Sequence, residues 1–127
     1  ETAYFSVTGT DDEVVPFVNE NNWRTNAFFC AWTAYQTMNG MEVSSRPDFS
    51  KDATFGIALK DREVISTNKR VTMEAGVLYK GNIPLIKVVA VNDYGHWNFK
   101  PDARLMWDFM KQFSRDPQTK KLVYNKR

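Results

Sequence analysis

Two apolar, β-branched runs dominate the hydropathy pattern of the chain. One is Ala3-Tyr4-Phe5-Ser6-Val7-Thr8 and the other is Leu85-Ile86-Lys87-Val88-Val89-Ala90-Val91. Each predicts a strand with bulky side chains on both faces, which suits a sheet covered on both sides. Each run also ends in a polar loop. The first continues as Gly9-Thr10-Asp11-Asp12-Glu13-Val14-Val15-Pro16, the second as Asn92-Asp93-Tyr94-Gly95-His96-Trp97. In open α/β sheets, ligands meet the fold at the carboxyl ends of strands.

Between these strands the period changes. Trp23, Ala27, Phe28, Ala31, Trp32 and Tyr35 recur at helical spacing and predict a helix from Trp23 to Met38. Asn19, Asn21 and Asn22 are its N-cap candidates, and Asn39-Gly40 supplies a left-handed stop. Cys30, flanked by aromatic residues, is expected to be a buried core thiol. Residues 44–52 read as loop, and residues 53–65 fit short strands or a helical turn. Lys69 to Tyr79 has β character, and Lys80-Gly81-Asn82 is a turn that would make an antiparallel hairpin with the 85–91 strand. Trp97 to Lys100 is expected to be loop. Pro101-Asp102 then opens a last helix whose buried stripe is Leu105, Met106, Phe109, Met110 and Phe113.

Composition narrows the class. A chain of 127 residues, 43% hydrophobic and 14% aromatic, suffices for one folded domain with a core. A net charge of +2, with basic residues dispersed until Lys120, Lys121, Lys126 and Arg127, gives no nucleic-acid footprint, and that tail reads as solvated. No run approaches the roughly 20 apolar residues of a membrane span. A single cysteine excludes an intrachain disulfide, and one histidine without a cysteine cluster argues against zinc.

The chemistry sits in the two strand-end loops. A general base in acyl transfer needs a histidine whose far ring nitrogen is held by a carboxylate, which fixes the tautomer and stabilises the imidazolium. His96 is the sole histidine, and Asp11, Asp12 and Asp93 are the carboxylates that could serve it. An acid-then-histidine order is that of α/β-hydrolases.

The loop Gly9-Thr10-Asp11-Asp12-Glu13-Val14-Val15-Pro16 resembles the acid loop of that superfamily, closest to the feruloyl esterase and polyhydroxybutyrate depolymerase-like secreted esterases. Their Gly-x-x-Asp-x-x-Val-Pro spacing lands on Asp12. Tyr94-Gly95-His96-Trp97 resembles their Gly-His loop, and the helix with Ala103, Leu105, Trp107, Asp108 and Phe109 resembles their final helix. The likeness covers both ends of the chain and hardly touches residues 44–70. Thr8-Gly9 stands where family members often have His-Gly.

This resemblance implies an α/β fold, the C-terminal portion of an α/β-hydrolase sheet in three αβα layers. It implies a serine carboxylic-ester hydrolase with Asp12 and His96 as catalytic acid and base, Tyr94 and Trp97 as substrate-binding residues, and no metal or organic cofactor. Small-molecule or polymer-linked esters would be the substrates, and a secreted or periplasmic location is implied. No Gly-x-Ser-x-Gly occurs, and no serine sits on a strand-to-helix turn flanked by small residues. In the family that elbow precedes the acid loop, so the nucleophile is expected upstream of Glu1, in a missing N-terminal part of the same protein. The first strand begins almost at Glu1, which also predicts a fragment. Two other functions fit the same residues: a non-catalytic hydrolase-like module binding a sugar or polyester, and part of a prolyl oligopeptidase-type peptidase.

Overall fold

The computed structural model describes residues 1–67, 71–95 and 101–126. Its elements run β1 (Tyr4–Gly9), α1 (Ala27–Met38), β2 (Lys60–Ser66), β3 (Thr72–Lys80), β4 (Ile83–Val91), α2 (Pro101–Met110), β5 (Phe113–Arg115) and β6 (Leu122–Tyr124). The first four strands form one mixed sheet in the order β1-β4-β3-β2, and β5 and β6 form a separate two-stranded sheet.

The two apolar runs of the sequence are neighbours. β1 pairs parallel with β4, from Tyr4 opposite Ile86 to Gly9 opposite Val91. The expected hairpin is present: β3 and β4 pair antiparallel around Gly81, whose φ of +60° suits a two-residue turn. β2 adds antiparallel to β3 and resolves the ambiguous 53–65 region into loop followed by strand.

Alternation along β1 and β4 divides the core in two. Ile86, Val88 and Ala90 face α1 together with Phe29, Trp32 and Phe55. Trp32 donates its indole N–H to the Ser6 hydroxyl at 3.1 Å, so a buried polar pair is satisfied inside this aromatic cluster. Tyr4 stacks on Tyr35 of α1 at 3.9 Å. On the other face Val89 and Val91 join Met73 and Ala75, and Phe5, Val7 and Leu105 pack against them. Phe109 of α2 reaches Phe5 at 6.1 Å. One helix therefore covers each face, giving helix, sheet and helix in three layers.

Several local expectations are corrected. α1 begins at Ala27 rather than Trp23, because Asn26 is the N-cap. Its side chain accepts from Phe29 N at 2.9 Å and donates to Pro16 O at 2.6 Å. Asn19 and Asn22 instead bond each other's backbone and hold a separate turn. The face of α1 toward the sheet is Phe29, Trp32 and Gln36, which turns Cys30 outward; it is exposed, not a core thiol. The stop at Asn39-Gly40 stands, with Gly40 at φ +66°. Asn39 also bonds both backbone groups of Thr2, at 2.7 and 2.9 Å, and so ties the end of α1 to the entry of β1.

In α2 the expected buried stripe is largely exposed. Phe109 is buried, but Met106 is 46% exposed and Met110 37%, while Phe113 belongs to β5. Lys120 and Lys121 lie in the β5–β6 connection rather than in a loose tail. Asp116 Oδ1 accepts from the Gln118 and Thr119 amides there, and the Arg115 guanidinium reaches back to Glu1 O.

Candidate active site at the ends of β1 and β4

Because β1 and β4 are parallel, their carboxyl ends lie at one edge of the sheet, and the acid loop and the Tyr94-Gly95 loop emerge side by side. Their backbones touch. A Cβ placed on Gly9 would lie 2.0 Å from Tyr94 O and 2.7 Å from Gly95 O, so only glycine fits where the loops meet. Three hydrogen bonds then bind loop to loop. Thr10 N donates to Val91 O at 3.0 Å and Asp11 N to Tyr94 O at 3.0 Å. Asp93 N donates to the Thr10 hydroxyl at 2.8 Å, joining residues 83 positions apart. Asp93 has φ +58°, a left-handed backbone that aspartate tolerates and that turns the chain sharply after β4.

The three carboxylates named from the sequence have different settings. Asp12 is 8% exposed, and its Oδ1 accepts from the amides of Val14 at 2.9 Å and Val15 at 2.8 Å. Those two bonds are an Asx-type turn, so the carboxylate that shapes the loop is also fixed in direction by it. Asp11 and Asp93 are exposed. Tyr94 is half-buried and packs with the Met73, Ala75, Val89 and Val91 cluster. His96 and Trp97 lie outside the described residues, as does the expected loop from Trp97 to Lys100.

Next to these loops the surface is concave. A groove of about 420 Å³ opens beside the strand ends, lined by Thr10 and Asn92 together with Phe17, Val18, Phe49 and Thr54. Phe17 is held there by edge-on contacts to Trp32 and Phe55. Asn92 is anchored through its side chain to the Thr72 hydroxyl at 2.9 Å. Among the described residues no group of three His, Cys, Asp or Glu side chains could hold a metal ion.

Sequence reasoning missed Gly9, Thr10 and the Val14 and Val15 amides as parts of the site. The first had a signal: a glycine ending a strand marks a position where another backbone can approach. Thr10 and the amides carry no such mark, because their roles exist only once β1 and β4 are in register. No protein-family model matches the chain, and comparison with curated proteins and with solved structures returns no significant match.

Proposed function

We propose that the chain supplies the acid and base of a Ser-His-Asp triad in a serine carboxylic-ester hydrolase, with Asp12 orienting His96. The observation that carries this reading is the junction of the two loops. A buried, amide-held Asp12 sits in a loop bonded backbone to backbone to Tyr94, two residues before the histidine. The serine and the oxyanion-hole donors are proposed to come from polypeptide beyond these residues.

In that scheme His96 takes the serine proton as the serine oxygen bonds to the ester carbonyl carbon. It then gives the proton to the departing alkoxide as the carbon–oxygen bond breaks. Water repeats the sequence on the acyl-enzyme and releases the acid. The Asp12 carboxylate keeps the imidazole in the tautomer that presents its other nitrogen to serine, and stabilises the imidazolium. The groove beside Thr10 and Asn92 is the proposed place for part of a small-molecule or polymer-linked ester.

The test uses the chain as it stands. His96 is titrated by NMR through its imidazole signals in the parent chain, Asp12→Asn and Asp11→Asn. A carboxylate at the ring favours the charged imidazole, so Asp12→Asn should lower the pH at which His96 deprotonates and release its ring orientation, while Asp11→Asn leaves both unchanged. Identical titrations in parent and Asp12→Asn, or an effect confined to Asp11→Asn or Asp93→Asn, would reject the assignment.

A further inference from the structure

The two edges of the main sheet are unlike. β2 exposes Lys60, Asp61, Arg62 and Glu63 in succession, and its pairing with β3 shifts register between Lys60 and Glu63. Charge and irregularity of that kind block edge-to-edge pairing. β1, the other edge, reads Tyr4-Phe5-Ser6-Val7-Thr8-Gly9, with no charge, no proline and an unbroken register to β4. In a parallel pair each strand turns alternate backbone groups toward its neighbour, so half of those of β1 face away from β4.

The helices extend this edge above and below. On α2, Leu105 packs on the core that Val7 and Phe5 also cover and Phe109 meets Phe5, while Asp108 and Gln112 border the groove that reaches Lys87, Val77 and Tyr79. The flank carrying Asp108 thus points toward β4 and β3. At 100° per residue, Met106 and Met110 occupy the opposite flank, beyond β1, and both are exposed. On the other face Gln36 of α1 is turned toward Leu78, and Tyr35 is turned the other way to stack on Tyr4. The six residues of the strand edge and the flanking Met106, Met110 and Tyr35 carry no charge; Asp102, one turn before Met106, and Arg115, bonded to Glu1 O, border them.

We propose that this surface pairs two copies of the chain, with β1 antiparallel to β1 of the second copy across a two-fold axis normal to the sheet. Such an axis keeps each face of one sheet continuous with the same face of the other. The strand is self-complementary about Ser6. Ser6 meets Ser6 of the second copy, Phe5 meets Val7, and Tyr4 meets Thr8. Every pair then joins like with like, apolar residues on the α2 face and hydroxyl-bearing ones on the α1 face. No charge of β1 opposes a like charge, whereas two β2 edges would set four charged residues against four. The result is a continuous eight-stranded sheet bounded at both ends by β2. This pairing does not rest on the triad reading and competes with it, since it fills the β1 edge at which further strands of an α/β-hydrolase sheet would join.

Sedimentation velocity of the chain across the micromolar range, read with amide hydrogen exchange, tests it. We expect a concentration-dependent dimer in which amides of β1 gain protection as the dimer forms. Met106→Lys/Met110→Lys alters exposed side chains only. It should preserve the far-ultraviolet circular dichroism while raising the dimer dissociation constant by at least about tenfold. Val64→Lys, at the β2 edge, should leave dimerisation unchanged. A monomer at every concentration overturns the proposal, as do open-ended polymers, a dimer indifferent to the methionine pair, or one weakened by Val64→Lys instead. If β1 amides exchange equally fast in monomer and dimer, the seam lies elsewhere and the proposal fails.

Discussion

β1 and β2 close the same sheet on opposite sides and are held in place by different physics. β2 is almost wholly exposed, and beyond its backbone ladder to β3 and the packing of Ile65 its side-chain attachments are ionic. Arg62 bonds Asp52 at 2.7 Å and Glu74 at 2.8 Å, and Lys87 reaches Glu63 at 3.2 Å. The Tyr79 hydroxyl donates to the Asp61 carboxylate, and Asp61 itself has φ +51°. β1 carries no ion pair on its six residues and is held by packing on both faces and by its loop. An edge made of charges tolerates water and substitution. One made of packed apolar residues is sensitive to volume.

The contrast can be broken first at the carboxyl end of β1. Gly9→Val puts side-chain carbons where Tyr94 O and Gly95 O already lie, so the two loops must separate. Such overpacking should cost about 3 kcal/mol, read from chemical denaturation, and should abolish any dependence of His96 titration on Asp12. At the β2 side the largest effect belongs to Arg62→Met. It leaves Asp52, whose side chain is 7% exposed, and Glu74 without their shared cation. A loss of about 1–3 kcal/mol is expected, smaller at high salt only for the more exposed Glu74 part.

Tyr79→Phe should cost less, about 0.5–1 kcal/mol, and has a spectroscopic signature. The hydrogen bond to Asp61, then desolvation, push the Tyr79 phenol up to about 12. The protonated phenol is the form favoured by folding. Its contribution is therefore complete below the ordinary tyrosine value of 10.0 and is lost as pH rises through about 12. Absorbance titration should show a late-titrating component that Tyr79→Phe removes and Asp61→Asn brings down, while Tyr4, pushed up by burial, stays raised in both variants. The smallest effect is expected from Val64→Lys, at a side chain 68% exposed, with stability within about 0.5 kcal/mol of the parent. A cost of several kcal/mol there would mean the β2 edge is covered after all.

The strands were legible where both faces are buried, since the 85–91 run needs apolar residues at nearly every position and has them. The hairpin was legible from Gly81. The start of α1 was not, because Asn19, Asn21 and Asn22 are all chemically able to cap. Only the tether from Asn26 to Pro16 O selects the true cap. The outward Cys30 and the exposed Met106 and Met110 share one cause: an apolar pattern reports a helix's potential face, not the neighbour that fills it. β5 and β6, at three residues each, are too short to show a period. Asp12 came from a spacing in its loop. That the loop abuts Tyr94 could not be read from any spacing, since it follows from parallel register between distant segments.

That register also bears on how the chain folds. β2, β3 and β4 follow one another through short connections, so their pairing closes small loops and can form early. β1 has to wait. Its partner lies far along the chain, Tyr4 meeting Ile86, and joining them closes a loop that includes α1, β2 and β3. Closing that loop is entropically costly before any packing offsets it, which makes the docking of β1 the slow, late event of folding. The acid loop and the Tyr94-Gly95 loop are assembled only at that moment. A population trapped before it would have native-like β2–β4 amide protection, an unpaired β4 edge and no junction at Gly9.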